Sequence, residues 1–384
     1  DGLSNVADAL VLANRAGMPA QNLLVGDAAG HIGWTIAGPL PARQASQAGT
    51  FPLTLAGQAQ SGWTALADGS THPRLIDPEA GQLWTANSRQ LAGSNYAALG
   101  DGGADLGARS QQIRDDLTAI AGKADERASF AIGFDDRAIF LGTWRERALK
   151  LLDEAALANH PRRAEFRQQL LQSWDGHASV GSVGYRLTRG YMHAVYEQLF
   201  SGVDKLLADA SHDEDNDFSS ASSRWPVVVA RLLDEQPAGW LPARFASWRD
   251  LQLAAVDTVI GNLGKDGKPL AESRWGARNT AKIAHPFTRF LPWLGPWLAA
   301  PADELAGDSH MPRVAAPQFG ASERMVVSPG REAQGIFNMP GGQSGHPLSP
   351  YFLAGHAAWV KGEPTPFLPG PAQHRLRLLP AGKQ

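Results

Sequence analysis

Cysteine is absent from the 384 residues of this chain. Its absence excludes disulfide bonds, zinc sites built on thiolates and a cysteine nucleophile. It is consistent with a periplasmic or secreted protein, which is the location we expect. The sequence also lacks any apolar run of about 18 residues, so no membrane span is expected. No signal-peptide pattern is present, which says nothing about export if residue 1 is a processing boundary.

The sequence also has no excess of basic residues. The chain has 35 lysines and arginines against 38 aspartates and glutamates, a net charge of −3 and an isoelectric point near 6.4. A surface that binds phosphate backbones needs clustered positive charge, so nucleic acid is not an expected partner. Hydrophobic residues make up 43% of the chain, which is enough to bury a large core. The length suggests two or three domains.

The hydrophobic pattern indicates strands at both ends of the chain and helices between them. A helix is predicted over residues 5–15, and residues 38–72 are predicted to be irregular. Strands are predicted at 21–25, 31–37, 82–87, 323–328 and 335–339. The first two strands flank Asp27-Ala-Ala-Gly30, whose residue types favour a short hairpin loop. Together these segments predict an α+β fold.

A domain organisation follows from the same pattern. We expect residues 1–115 to be a sheet-forming segment, 116–265 a largely helical insertion, and 266–384 a return to the sheet core followed by a C-terminal segment. At the first boundary, Asp105 is predicted to cap a helix.

The usual catalytic patterns are weak in this sequence. Ser344 lies in Gly-Gln-Ser-Gly, the nearest approach to a nucleophile elbow, but two prolines follow it and no apolar strand precedes it. A serine hydrolase using Ser344 therefore stays only an alternative. No pair of histidines has metal-ligand spacing on a helix. The acidic residues 213–217 lack the glycine and the distal glutamate of a calcium loop, so they are expected to form a solvated loop.

Five segments, in order along the chain, resemble those of the penicillin acylase family of N-terminal-nucleophile amidohydrolases. The last two segments are a β-type run, residues 320–327, and a stretch rich in glycine, proline and small polar residues, 339–350, which suits close backbone packing. A third segment, Gly81-Gln-Leu-Trp-Thr-Ala-Asn-Ser-Arg, resembles the strand that ends in the family's oxyanion asparagine. The five segments are the hairpin 21–37, residues 81–89, residues 107–114, residues 320–327 and residues 339–350.

The resemblance implies part of an αββα sandwich and two site residues. By the match, Asn87 donates a hydrogen bond to the oxyanion and Arg109 organises the site around it. From the residues alone, Asn87 is a strand-end asparagine that satisfies a turn. Arg109 lies in the first turn of its helix, where the dipole disfavours a cation, so it is alternatively the partner of Asp101, Asp105 or another carboxylate.

The resemblance also implies that the nucleophile lies outside this sequence. In the family it is the N-terminal serine of the mature β chain, whose own α-amine serves as the base. Ser4-Asn5 matches that start superficially, but the residues that follow are helical, so Ser4 is not expected to be the nucleophile. The expected partners are the remaining α-chain and early β-chain segments of the same precursor. We expect this chain alone to be inactive.

Substrate and metal content stay open at this level. The resemblance indicates an acylase acting on a small-molecule amide, either an acyl-homoserine lactone or a β-lactam side chain. It implies no certain cofactor. Calcium is a possible structural ion because the family has a calcium-ligand aspartate in the segment that corresponds to residues 91–106, where Asp101 or Asp105 could serve. The alternative function is a non-catalytic scaffold or interaction protein derived from the acylase fold.

Overall fold

The computed structural model describes residues 3–43, 63–99 and 103–379. Helix α1 (Val6–Asn14) begins where Asn5 caps it, its side-chain oxygen accepting from the amide of Asp8 at 2.9 Å. Val6 and Leu10 are buried on the face of α1 that packs on the hairpin. The predicted N-terminal helix is confirmed.

The hairpin is formed by β1 (Gln21–Gly26) and β2 (Ile32–Ala37), which pair antiparallel as predicted. Asp27 closes its loop by accepting hydrogen bonds from the amides of Ala29 and His31. On the strand below α1, a Cβ at Gly33 would lie 2.5 Å from a Val6 methyl. Glycine therefore allows α1 to pack close to the sheet.

Residues 38–72 contain more regular structure than predicted. Strands β3 (Pro41–Arg43) and β4 (Trp63–Leu66) pair antiparallel, and β5 (Arg74–Ile76) joins the hairpin in the order β1-β2-β5. Residues 44–62 of this stretch lie outside the described part. The prediction of an irregular connection is therefore wrong at the two ends of the stretch.

The strand predicted at 82–87 is not formed. A single parallel bridge links Ser88 to Asp105, and the amide of Asp105 donates to the carbonyl of Asn87 at 2.9 Å. After this comes α2 (Gly93–Leu99), and α3 (Ala108–Ala119) starts beyond Gly107. Asp105 is therefore not the cap of α3, and its Oδ1 accepts instead from the amide of Leu106 at 2.7 Å.

The middle of the chain is helical, as predicted. The helices are α4 (Glu126–Ile132), α5 (Ile139–Leu151), α6 (Glu154–Leu157), α7 (Pro161–Gln172), α8 (Val183–Ser211), α9 (Phe218–Ala221), α10 (Trp225–Glu235) and α11 (Trp248–Leu263). Helix α8 runs through the centre of this region, and α5, α7, α10 and α11 pack against it. The fully buried side chains of the helical region include Trp144, Tyr191 and Leu251.

The helical core also includes residues from beyond position 265. Leu270, Trp275 and Met311 belong to the same buried cluster. The carboxylate of Asp308 is buried and accepts from Arg189 Nε at 2.6 Å and from the Tyr185 hydroxyl at 2.9 Å. The division at 115 and 265 stays a prediction, but the third segment is tied to the second by both apolar and ionic contacts.

The C-terminal part combines short strands with close backbone packing. Strands β8 and β9 confirm the predictions at 323–328 and 335–339, and Trp359 is buried beside them. At Gly342 a Cβ would lie 1.8 Å from the carbonyl oxygen of Tyr351, so no other residue fits there unchanged. The elements are α12 (Trp275–Arg278), α13 (Gly295–Leu298), β6 (Ala315–Ala316), β7 (Phe319–Gly320), β8 (Arg324–Val326), β9 (Ile336–Asn338) and α14 (His356–Lys361).

No described helix combines the length and the apolar character needed to span a bilayer.

Candidate active site

A cleft of about 1040 Å³ opens between the hairpin, the paired strands β3 and β4, and residues 85–91. Its apolar floor is continuous with a small buried cluster at that end of the molecule. The floor residues are Ile36, Leu40, Leu91, Tyr96 and Leu99. Polar groups line one wall, where Asn87 is exposed to the cleft. This combination of apolar floor and few polar groups is typical of a small-molecule site.

The structure brings Asn87 and Arg109 together. The guanidinium Nη2 of Arg109 donates to the side-chain oxygen of Asn87 at 2.5 Å, although the two residues are 22 positions apart. Since the guanidinium offers only donors, it selects the amide orientation in which oxygen faces Arg109. The amide nitrogen of Asn87 then has both hydrogens available, and it donates to no residue in the described part of the chain.

Arg109 is held from a second side by Asp105. Its Nη2 lies 3.5 Å from Asp105 Oδ2, and the side chains are 21% and 22% exposed. The carboxylate compensates for the unfavourable dipole at the start of α3, where Arg109 is the second helical residue. Both predicted contacts of Arg109, with the asparagine and with a carboxylate, are therefore present together.

Helix α3 is anchored by Gln112 and Asp116, which lie about one and two turns beyond Arg109 on the same face. Gln112 is buried, and its amide nitrogen donates to Asp135 Oδ2 at 2.6 Å and to the carbonyl of Arg137 at 3.3 Å. Arg137 also pairs with Asp116 and Asp135. Residues three and four apart share a helix face, so these contacts fix the rotation of the helix that carries Arg109.

The two carboxylates of that anchor titrate differently. Burial, together with the neighbouring Asp135 carboxylate, raises the pKa of Asp116 to about 6. Hydrogen bonds from Arg137 and Gln112 outweigh burial and lower the pKa of Asp135 to about 2. Two carboxylates close together cannot both ionise easily, and here the arginine favours the charged form of Asp135.

The arrangement can stabilise developing negative charge. A neutral amide with free hydrogens, fixed by a cation on its far side, is a preorganised donor for a tetrahedral intermediate. The Asn87–Arg109 contact supplies that fixation. Arg109 Nε is buried without a partner in the described residues, so its charge is poorly shielded on that edge.

Ser344 and Ser4, the two serines in this sequence considered as nucleophiles, are both engaged in local structure. Ser344 Oγ accepts from the backbone amide of His346 at 3.1 Å, and no described histidine ring or carboxylate bonds to it. Ser4 is exposed, and its hydroxyl donates to Asp8 Oδ2 at 2.6 Å in front of α1. Neither arrangement activates a hydroxyl, since in both cases the group is engaged in a local turn or cap.

Calcium binding by Asp101 or Asp105 stays a prediction. Asp101 lies outside the described residues. One oxygen of Asp105 accepts from the Leu106 amide, and the other lies 3.5 Å from Arg109. Among the described residues, no three or more acidic, histidine or cysteine side chains form a group suited to a metal.

The Penicillin amidase family model matches residues 2–375. This chain belongs to that family. The curated relatives include penicillin acylase 2 proenzyme of Pseudomonas sp. strain SE83, at 26% identity over 96% of this chain and 46% of the relative. Acyl-homoserine lactone acylase QuiP of Pseudomonas fluorescens is 23% identical over 94% of this chain and 46% of the relative. QuiP of Pseudomonas aeruginosa is 24% identical over 91% and 45%.

These relatives are about twice as long as the part that matches, since the chain spans about half of their length. Among solved structures, thermostable penicillin G acylase from Alcaligenes faecalis superposes with a TM-score of 0.55 at 15% identity. The match covers 98% of this chain and 71% of that one. At this identity the likeness concerns the fold, and it confirms the predicted α+β class of the N-terminal-nucleophile hydrolases.

Sequence reasoning named Asp105 as one possible partner of Arg109, and the structure shows that pair. It missed that the Asp105 amide also donates to the carbonyl of Asn87, which aligns the backbone beside that residue. It did not single out the contact between Arg89 and Tyr96 at the cleft.

Proposed function

We propose that this chain is the C-terminal part of an acylase that hydrolyses a small-molecule amide through an acyl-enzyme. Asn87 is the catalytic oxyanion donor, and Arg109 positions its amide. The observation that carries the proposal is the 2.5 Å contact from Arg109 to the side-chain oxygen of Asn87, which leaves the amide nitrogen free beside the cleft. Membership in the penicillin amidase family supports the same chemistry.

In the proposed reaction, a terminal serine hydroxyl from outside these residues attacks the amide carbon. The serine's own α-amine takes the hydroxyl proton, because its pKa near 8 lies close to the working pH. The carbonyl electron pair moves to oxygen, and Asn87 donates a hydrogen bond to the resulting anion. Collapse of this intermediate expels the amine, which takes the proton. Water then attacks the ester carbonyl while the α-amine takes its proton, and Asn87 again donates to the oxyanion. Collapse of this second intermediate breaks the bond to the serine oxygen, which takes the proton, and releases the acid.

The substrate is proposed to carry an apolar acyl group. The floor of the cleft is apolar over Ile36, Leu40, Leu91 and Leu99, which suits a hydrocarbon chain. The relatives are named for penicillin and for acyl-homoserine lactones, and both contain a linear amide. We also propose that the protein is periplasmic or secreted. A longer precursor is proposed to supply the α chain and the nucleophile. This chain alone is proposed to be inactive.

The test uses the complete processed protein that contains this chain. Asn87→Ala is expected to lower kcat by about 100- to 1000-fold, the usual cost of losing one oxyanion donor. The matched control is Asn216→Ala, a loop asparagine whose side chain makes no hydrogen bond with a described residue. A wild-type protein that hydrolyses no amide would favour the scaffold alternative. An Asn87→Ala variant within about threefold of wild type would remove Asn87 from the catalytic step.

A further inference from the structure

The cleft carries one formal charge among its described lining residues, and that charge is positive. Arg89 supplies it, and neither aspartate nor glutamate is among the residues that line the cleft. The remaining polar lining groups are neutral amides, hydroxyls and the backbone. An anionic group entering this cleft therefore meets one cation and no opposing carboxylate among these residues.

Arg89 lies on the same side of the backbone as Asn87. Ser88, between them, forms a β bridge with Asp105, so the chain is extended at this point. Side chains two residues apart in extended chain point the same way, and their Cα atoms are about 6–7 Å apart. Arg89 and Asn87 both line the cleft. The guanidinium is thus within one side chain's length of the proposed oxyanion position.

Arg89 is oriented by an aromatic ring and not by an acid. Its guanidinium carbon lies 5.0 Å from the ring centre of Tyr96, on α2. Tyr96 is half-buried and packs against the cluster of Ile36, Leu40 and Leu91, so the ring is a fixed support. No described carboxylate or carbonyl accepts a hydrogen bond from Arg89. A ring face holds the guanidinium plane while leaving its donors free.

Arg109 differs from Arg89 in having polar partners within the protein. Arg109 is committed to Asp105 and to the side-chain oxygen of Asn87. Its charge is compensated within the protein, whereas that of Arg89 is not compensated by any described residue. Two arginines flank the same asparagine. The unpaired Nε of Arg109 is buried, whereas Arg89 is exposed in the cleft, where its donors can reach an outside partner.

We propose that Arg89 binds a carboxylate of the substrate, so that the preferred substrate is an anionic amide. The proposal rests on the proposed function and adds a substrate class to it. A guanidinium and a carboxylate fit in a bidentate pair, which an ester, lactone or primary amide cannot replace. The carboxylate can belong to the leaving amine or to the acyl half, and these two sources are separated by experiment.

Two matched substrate pairs are used with the complete processed protein. The first compares an N-acyl amino acid with its primary amide, which places the charge on the leaving amine. The second compares the anilide of a dicarboxylic monoacid with the anilide of its methyl ester, which places the charge on the acyl half. In one of the two pairs we expect kcat/KM to favour the anion by about tenfold through KM, as for a hydrogen bond to a charged group.

The variants identify Arg89 as the source of that preference. Arg89→Gln should abolish it, bringing the ratio of kcat/KM for the anion to that for its neutral partner to about one, because only the anion uses the guanidinium. Arg89→Lys should restore part of it, since the charge remains but the bidentate geometry is lost. Tyr96→Phe should preserve it, because the ring face remains. Arg231→Gln, an exposed arginine on α10 paired with Glu235, is the control for loss of one positive charge.

Equal kcat/KM for both members of both pairs, unchanged by Arg89→Gln, would overturn the inference and leave the proposed function standing. If the protein hydrolyses neither pair, calorimetry is used to measure binding affinity instead. The affinity of the N-acyl amino acid is compared with that of its primary amide, and the affinity of the dicarboxylic monoanilide with that of its methyl ester. Tighter binding of an anion that Arg89→Gln removes supports the carboxylate site without catalysis. Equal binding of the charged and neutral members of both pairs contradicts it.

Discussion

The positioning role assigned to Arg109 can be tested by removing the guanidinium with Arg109→Ala. In the native site, the wrong amide orientation would turn the nitrogen of Asn87 toward Arg109 and lose a hydrogen bond to a charged group. Such a bond is worth about 1.5–3 kcal/mol, so the wrong orientation holds less than about one tenth of the population. The guanidinium thus keeps the productive donor nearly always in place.

Without the guanidinium, Asn87 can sample two amide orientations and three side-chain rotamers. One productive state among about six costs roughly sixfold in rate, or about 1 kcal/mol. Losing the donor altogether in Asn87→Ala costs about 100- to 1000-fold. Arg109→Ala should therefore lower kcat, but by much less than Asn87→Ala. Because Arg109→Ala leaves Asp105 without its cation, the double variant with Asp105→Asn is the control that removes this unpaired negative charge.

A double-mutant cycle makes the prediction decisive. If Arg109 acts only through Asn87, adding Arg109→Ala to Asn87→Ala should cost almost nothing more. The assay is the burst of aniline released from a chromogenic anilide by the complete processed protein, which isolates acylation. If the two single-variant losses multiply in the double variant, Arg109 contacts the substrate independently, and the positioning argument is wrong.

Three further predictions concern stability and packing. Asp308→Ala should lower the free energy of unfolding by about 3 kcal/mol, because it removes a buried carboxylate and leaves the half-buried Arg189 without its partner. Asp209→Ala on the surface should change it by less than about 0.5 kcal/mol. Urea unfolding followed by tryptophan fluorescence measures both, and equal losses would contradict the buried-pair argument. Burial lowers the pKa of His193 to about 3, so the folded state binds fewer protons than the unfolded state between that value and about 6.5. Stability should therefore fall as pH drops through this window, by about 3 kcal/mol at pH ~4, and His193→Gln should remove that part of the loss; an unchanged pH profile in the variant would contradict it. Gly342→Ala should cost roughly 1–3 kcal/mol in the same unfolding assay, since its Cβ would overlap the Tyr351 carbonyl, and a neutral effect would show that this loop moves freely.

The features predicted well from sequence are those that short-range patterns determine. The hairpin of β1 and β2 follows from alternation and from the turn residues Asp27 and Gly30, which act over a few positions. The helical middle follows from apolar residues repeating along each helix. The glycine- and proline-rich stretch 339–350 is predicted to bring backbone close to backbone, and the structure confirms this at Gly342.

The features predicted poorly depend on distant partners. Residues 82–87 have strand-like composition, but a strand needs a neighbour, and a single bridge from Ser88 to Asp105 is what the described chain provides. The same bridge sets Asn87 beside Arg109. Family resemblance pointed to both residues, whereas composition and spacing left a turn and an ion pair as alternatives. The side chains that surround them could be identified only from the packed chain.

The most direct test of the account is the structure of the complete protein with a tetrahedral intermediate analogue bound to its nucleophile, such as a phosphonate ester. The account predicts that the amide nitrogen of Asn87 lies about 2.7–3.1 Å from the oxygen that represents the oxyanion, with Arg109 still bonded to the other side of that amide. An oxyanion more than about 4 Å from Asn87, stabilised by other donors, would contradict it.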